Sequence, residues 1–153
     1  MTFTLATATI ALGAITPATS GTDGAHTMIV GTNAATGYTV SYAGTTLTSG
    51  VNTIAAMAGG SDYVAGTPGF GINLAANTTP ALGAAPSGGV GTAKPGYNTA
   101  DQFKFSVAGD QIASSTGISA NTTYTFSYAA DISSATPAGQ YSTVLTYTAT
   151  ANF

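Results

Sequence analysis

His26 is the only imidazole in the chain, and its only carboxylate side chains are five scattered aspartates, Asp23, Asp62, Asp101, Asp110 and Asp131. Hydrolysis by a serine nucleophile needs that one histidine next to both a serine and an aspartate. No Gly-x-Ser-x-Gly elbow is present to present the serine. A single histidine cannot build a multi-histidine metal centre, and no D-x-D-x-D loop exists to cage calcium. A glycosidase pair would require two distant aspartates to converge, and no spacing points to it. The absence of cysteine excludes disulfides, thiolate nucleophiles and thiolate metal sites. The glycine-rich stretches lack G-K-[ST], and no G-x-G-x-x-G joins a strand to a helix, so phosphate has no cradle. The chain reads as a non-enzyme with no cofactor and no metal. His26, beside the Asp23-Gly24 turn signal, reads as a structural or surface histidine. Each aspartate reads as a turn or strand-end residue.

The cations are as sparse. Lys94 and Lys104 are the only basic side chains that stay charged at neutral pH. Two are too few to neutralise a run of phosphates, so nucleic acid is excluded as a partner, and an anionic membrane surface with it. A lysine–asparagine crosslink of the kind that staples some surface domains needs a buried lysine. Lys104 alternates away from Phe103 and Phe105, which places it toward solvent. Two Asn-Thr-Thr sequons, at Asn77 and Asn121, are acceptor patterns for glycans.

Charged residues make up 5% of this chain, where an ordinary soluble domain carries about 25%. Its polar surface must come from threonine, serine, asparagine and backbone amides. Little charge means little colloidal repulsion, and the chain reads as a subunit made to associate.

The elements that would carry such a surface are strands. Strong helix formers are scarce, while threonine and tyrosine favour pleated backbone. Period-two alternation recurs. Tyr38, Val40 and Tyr42 share a face, as do Phe70, Ile72 and Leu74. Phe103, Phe105 and Val107 form another set, and Tyr124, Phe126 and Tyr128 a fourth. The C-terminal run places Tyr141, Leu145, Tyr147, Ala149, Ala151 and Phe153 together. Thr27–Gly31, Thr45–Thr48 and Val51–Ala55 are weaker candidates. Asn33–Gly37 reads as a tight connection; Asp23-Gly24, Ser49-Gly50 and Gly109-Asp110 read as turns. The expectation is an all-β fold: a single antiparallel β-sandwich, immunoglobulin-like or jelly-roll, over residues 17–153. A long Gly/Pro/Ala-rich surface loop is expected near 75–98.

Residues 1–16 stand apart as an extended, uncharged strand. Phe3 and Leu5 are in odd phase, whereas Ala8, Ile10 and Leu12 are in even phase, with Ile15 beyond. A bulge, a corner or a change of partner would account for that slip. The run lacks the positive charge that opens a signal peptide, so export is inferred from composition. No stretch is apolar for the roughly 18 residues a membrane-spanning helix needs.

The closing run Pro137-Ala-Gly-Gln-Tyr-Ser-Thr-Val-Leu-Thr-Tyr-Thr-Ala-Thr-Ala-Asn-Phe153 resembles the last strand of bacterial surface β-sandwiches. It is similar to chaperone–usher pilin subunits of the spore-coat-U type and to WxL-type cell-wall domains. It departs from them in having Tyr147 where WxL domains have tryptophan, and in lacking the cysteines usual in such pilins. The resemblance implies an extracellular, cell-surface location and polymerisation by donor-strand complementation. One copy's terminal strand then completes the sheet of the next, head to tail.

The resulting expectation is a structural filament or pilus subunit whose partner is itself, with other cell-surface components as further partners. Phe3, Leu5, Ala8, Ile10, Leu12 and Ile15 would be the donor residues. The acceptor core would be Tyr38, Val40, Tyr42, Phe70, Ile72, Leu74, Phe103, Phe105, Tyr124, Phe126, Tyr128, Leu145, Tyr147 and Phe153. One alternative is a monomeric adhesin or a carbohydrate- or ice-binding module. Another is a small outer-membrane barrel, whose last strand the alternation ending at Phe153 resembles.

Overall fold

The computed structural model describes all 153 residues, and its regular elements are all strands. In chain order they are β1 (Thr2–Leu5), β2 (Gly21–Thr32), β3 (Tyr38–Gly44), β4 (Thr48–Ser49), β5 (Asn52–Thr53) and β6 (Gly69–Asn73). Then follow β7 (Ala84–Ser87), β8 (Thr92–Ala93), β9 (Asp110–Ser115), β10 (Ser119–Asp131) and β11 (Leu145–Ala151). The first sheet runs β1-β2-β10-β6, with β7 also pairing β10. The second runs β11-β3-β9-β8, and every ladder is antiparallel. The two sheets pack as a sandwich, and neither closes into a barrel.

Alternation explains the centre of each sheet. Tyr38, Val40 and Tyr42 of β3 face Tyr124, Phe126 and Tyr128 of β10 across one core. Met28 and Val30 of β2, Phe70 and Ile72 of β6, and Ile112 of β9 complete it. The polar ends of six tyrosines are paired within the fold. Tyr38 Oη meets Tyr124 Oη at 2.8 Å, Tyr42 Oη meets Tyr97 Oη at 2.9 Å, and Tyr128 Oη meets Tyr147 Oη at 2.9 Å. Two of these pairs tie one sheet to the other, so buried hydroxyls satisfy each other where no charge is available.

Several expectations change. Asp23-Gly24 is not a turn: it lies within β2, at an irregularity where Phe126 pairs His26 and Tyr128 pairs Asp23. Phe103 and Phe105 do not share a core. Phe105 joins the main cluster, while Phe103 packs with Met57 and Ala129 in a second, smaller one. No regular ladder holds this stretch: the bridges Ser61 with Phe103 and Ile72 with Lys104 and the Phe105 N–H bond to the Met57 carbonyl carry it round the sheet edge, with Phe103 and Phe105 in different clusters. Val107 and Phe153 are exposed, the latter by 95%, because it lies beyond the end of β11.

The 75–98 stretch is not a plain loop. It supplies β7 to the first sheet and β8 to the second, and it buries Tyr97 completely. One side of the sandwich is thus closed by chain that crosses between the sheets.

Candidate assembly site

The opposite side of the sandwich is built differently. There β2 and β11 are the facing borders. His26 of β2 meets Tyr147 of β11 edge-on, with ring centroids 6.5 Å apart. β1 covers only part of β2, pairing Thr2–Leu5 with Met28–Gly31. One further bond runs from the Ala6 N–H to the Thr27 carbonyl. The strand expected over residues 1–16 therefore forms only at Thr2–Leu5.

Beyond Ala6 the chain folds back toward the start of β2. Gly21 permits this, since a Cβ there would lie 2.7 Å from Ile15 Cγ1. The total accessible surface, 7136 Å², is that of a compact monomer of this mass, for which scaling gives roughly 7000 Å². The N-terminal segment is folded against the body, not extended from it. Leu5, Ile10, Leu12 and Ile15 pack against the core and are half-buried; Ala8 is exposed, and Phe3 is 37% exposed.

The backbone of this segment is nearly unpaired. Residues Thr7 through Ile15 make no backbone–backbone hydrogen bond. Their only local support is the Thr7 hydroxyl, which donates to the Thr9 carbonyl and accepts from the Thr9 N–H. Apolar side chains hold the segment in place, while its backbone donors and acceptors have no backbone partner.

The far border carries the matching feature. β11 pairs only with β3, over the unshifted register Leu145↔Gly44 to Ala151↔Tyr38. The Asn152 N–H donates to the Gly37 carbonyl at 2.8 Å. By the alternation of an antiparallel ladder, Thr146, Thr148 and Thr150 direct their amides and carbonyls to β3. Leu145, Tyr147, Ala149 and Ala151 turn theirs away from the sheet. That outer row has no partner within the chain.

His26 sits beneath this side, 4% exposed. Nδ1 lies 2.9 Å from Tyr128 Oη, and the ring stacks on Phe126. Nε2 has no hydrogen-bond partner. Burial pushes the imidazole below its ordinary range, against the pull of Asp23. It is a neutral core residue, reached by neither a serine hydroxyl nor a carboxylate oxygen.

The charged groups stand elsewhere. Lys104 is only partly in solvent: Nζ lies 2.6 Å from Asp110 Oδ2 and 5.0 Å from the Tyr97 ring centre. Burial raises the Asp110 carboxyl, but Lys104, the Tyr97 hydroxyl and the Gln111 N–H outweigh it and hold it below the ordinary range. Asp101 receives the Thr78 hydroxyl and the Thr78 and Thr79 amides, which lower it. Asp131 is raised by burial at the end of β10, against the Ser20 hydroxyl and the Val64 amide. No three metal-ligating side chains of the His, Cys, Asp and Glu types cluster. Of the sequons, Asn77 is buried, its amide donating to Ala75, Leu82 and Ser127; Asn121 is exposed.

Two surface hollows stand out. One of about 270 Å³ is lined by Leu74, Pro86 and Thr92 among others, and one of about 410 Å³ by Thr2, Asn33 and Asn121 among others. Neither has a charged side chain in its lining.

No family model, curated protein or solved structure matches this chain.

Proposed function

We propose that this chain is a structural subunit of an extracellular filament, joined head to tail by exchange of its N-terminal segment between copies. The observation that carries this reading is the unpaired backbone of Thr7–Ile15 beside an apolar seam. A segment with strand-type sequence is stored against the core without a ladder. Moved to a neighbour, the same side chains would bury their area and the backbone would gain cross-strand bonds as well. Because those side chains are already half-buried at home, the net gain per junction comes from the new backbone ladder and from any further apolar area covered, at about 25 cal/mol per Å² before ordering costs. The scarcity of charge fits the same reading, because edge strands in free monomers are commonly guarded by charged side chains.

Negative-stain microscopy and sedimentation of concentrated full-length protein test the proposal. Fibres are expected, and deletion of residues 1–16 should abolish them. A chain that stays monomeric at every concentration overturns the reading.

One observation favours a second reading, a monomeric surface-binding module. The second sheet places Thr150, Thr39, Ser114 and Thr92 in register across four strands, with Thr150 and Thr92 exposed, Thr39 half-buried and Ser114 buried between them. Retention on an immobilised glycan or on ice by the monomer alone would support that reading over the first.

A further inference from the structure

We propose that the acceptor for the exchanged segment is the outer edge of β11, and that its occupant is Ala6–Ala14 of a second copy. The inference rests on the filament reading above and fixes the site it uses.

Three observations select this edge and this occupant. The first is pairing. All seven residues of β11 have one free side, whereas β2 is already covered at Met28–Gly31 and is irregular between Asp23 and His26. A new strand finds a straight, unbroken row only on β11.

The second is phase. Phe3 and Leu5 lie opposite Val30 and Met28 and are used within the chain, where β1 ends. After it the sequence runs Ala6, Ala8, Ile10, Leu12 and Ala14 on even positions, with Thr7 and Thr9 between them. The slip between the two halves separates a strand that serves its own sheet from one that can serve another. Leu145, Tyr147 and Ala149 face inward on β11, and Thr146, Thr148 and Thr150 face outward. The donor's even positions therefore continue the apolar inner face of the second sheet, and Thr7 and Thr9, followed by the small Ala11 and Gly13, continue its outer face.

The third is length and charge. Nine donor residues span the seven of β11, and neither stretch contains a charged side chain, so no desolvation of charge opposes the contact. A second copy is the partner because the segment it supplies is part of this same chain.

The test exploits the direction of the amides. Ala149→Pro removes an N–H that points away from β3, a place where an edge strand tolerates proline. The variant should keep its far-UV circular dichroism while its assembled mass falls at least about tenfold. Thr148→Pro removes an N–H that bonds β3 and should damage the fold itself. Normal assembly by Ala149→Pro overturns the β11 assignment and leaves the filament reading intact; a wild type that never assembles removes both. Should Ala149→Pro not fold, single cysteines decide. A tagged Thr9→Cys copy is mixed with Thr146→Cys, Thr148→Cys or Thr150→Cys copies during assembly. Opposed strand residues have Cβ atoms about 5 Å apart, so one mixture should give a disulfide between different chains. Polymers with no mixed disulfide in any of the three overturn the assignment.

Discussion

Tyr38 Oη and Tyr124 Oη lie 2.8 Å apart at the centre of the sandwich, one from each sheet, and both rings are fully buried. Neither hydroxyl has any other hydrogen-bond partner. Gly91 backs onto the pair, and a side chain there would collide with both oxygens. The two sheets are thus joined by a neutral bond that depends on both partners and on a glycine to make room.

Tyr124→Phe alone should cost about 1–3 kcal/mol, because it strands the Tyr38 hydroxyl in the core. Tyr38→Phe should cost a similar amount. The double variant should recover much of the loss, since no buried oxygen then lacks a partner. Denaturant unfolding of the four proteins gives the coupling directly. Additive losses would mean that each hydroxyl finds other support. Gly91→Ala should destabilise by about 1–3 kcal/mol through overpacking.

His26 predicts a pH dependence with a definite sign. Its folded pKa is lowered, by burial against the pull of Asp23, from the ordinary 6.5. The unfolded chain therefore binds the proton more readily than the folded one. The contribution is full above about pH 6.5 and is lost as pH falls through the folded value. His26→Phe should flatten that part of the stability profile while keeping the stack on Phe126. Tyr128 Oη keeps Tyr147 Oη as a partner in that variant. Thermal melts at half-unit steps from pH 8 to 5 would show it; an unchanged slope would place the proton uptake elsewhere.

Lys104 and Asp110 should behave as a modest pair. Their side chains are 24% and 30% exposed, so solvent screens the attraction. Lys104→Met should cost about 1 kcal/mol or less. Asp110→Ala should cost more, because Tyr97 Oη and the Gln111 N–H also donate to that carboxylate. Asp110 has a lowered folded pKa, so its contribution is present above the unfolded value near 3.9 and disappears as pH falls through the folded one. Urea titrations from pH 7 downward would separate the two variants at neutral pH and show the difference narrowing as pH falls below the unfolded value.

What the sequence made legible follows from how each strand is buried. Strands with a clear inside and outside, such as β3, β10 and β11, print that difference as alternation at Tyr38–Tyr42, Tyr124–Tyr128 and Leu145–Ala151. β9 was hidden because Ala113, Ser114 and Ser115 are all buried, and small side chains carry no period. The full length of β2 is masked in the sequence because Asp23-Gly24 has turn chemistry yet lies inside the strand. The alternation that buries Phe103 and Phe105 and leaves Lys104 partly exposed is legible, but the pairing of Lys104 with Asp110 is not, since no regular ladder sets the register of this stretch. At the assembly site the phase slip between Leu5 and Ile10 was visible. The free row of β11 was not, since strand order decides which element is an edge, and composition does not encode it.

The segment Thr7–Ile15 offers the most direct view of assembly. Without backbone partners, its amides should exchange hydrogen rapidly in the monomer, despite the partial burial of Ile10, Leu12 and Ile15. The amides of Thr39, Ser41 and Tyr124, inside paired strands, should be slow in every state. Once the segment pairs with a neighbour, alternate amides across Thr7–Ala14 gain a carbonyl partner and should slow by at least about tenfold. Those at Tyr147 and Ala149 should slow with them, as the two sides of one new ladder. Exchange measured by mass spectrometry on monomer and polymer would report both sides at once. Protection of the donor segment without protection of β11 would assign the donor to a different edge. Protection of neither, in a sample that has formed fibres, would mean that the copies join through other surfaces.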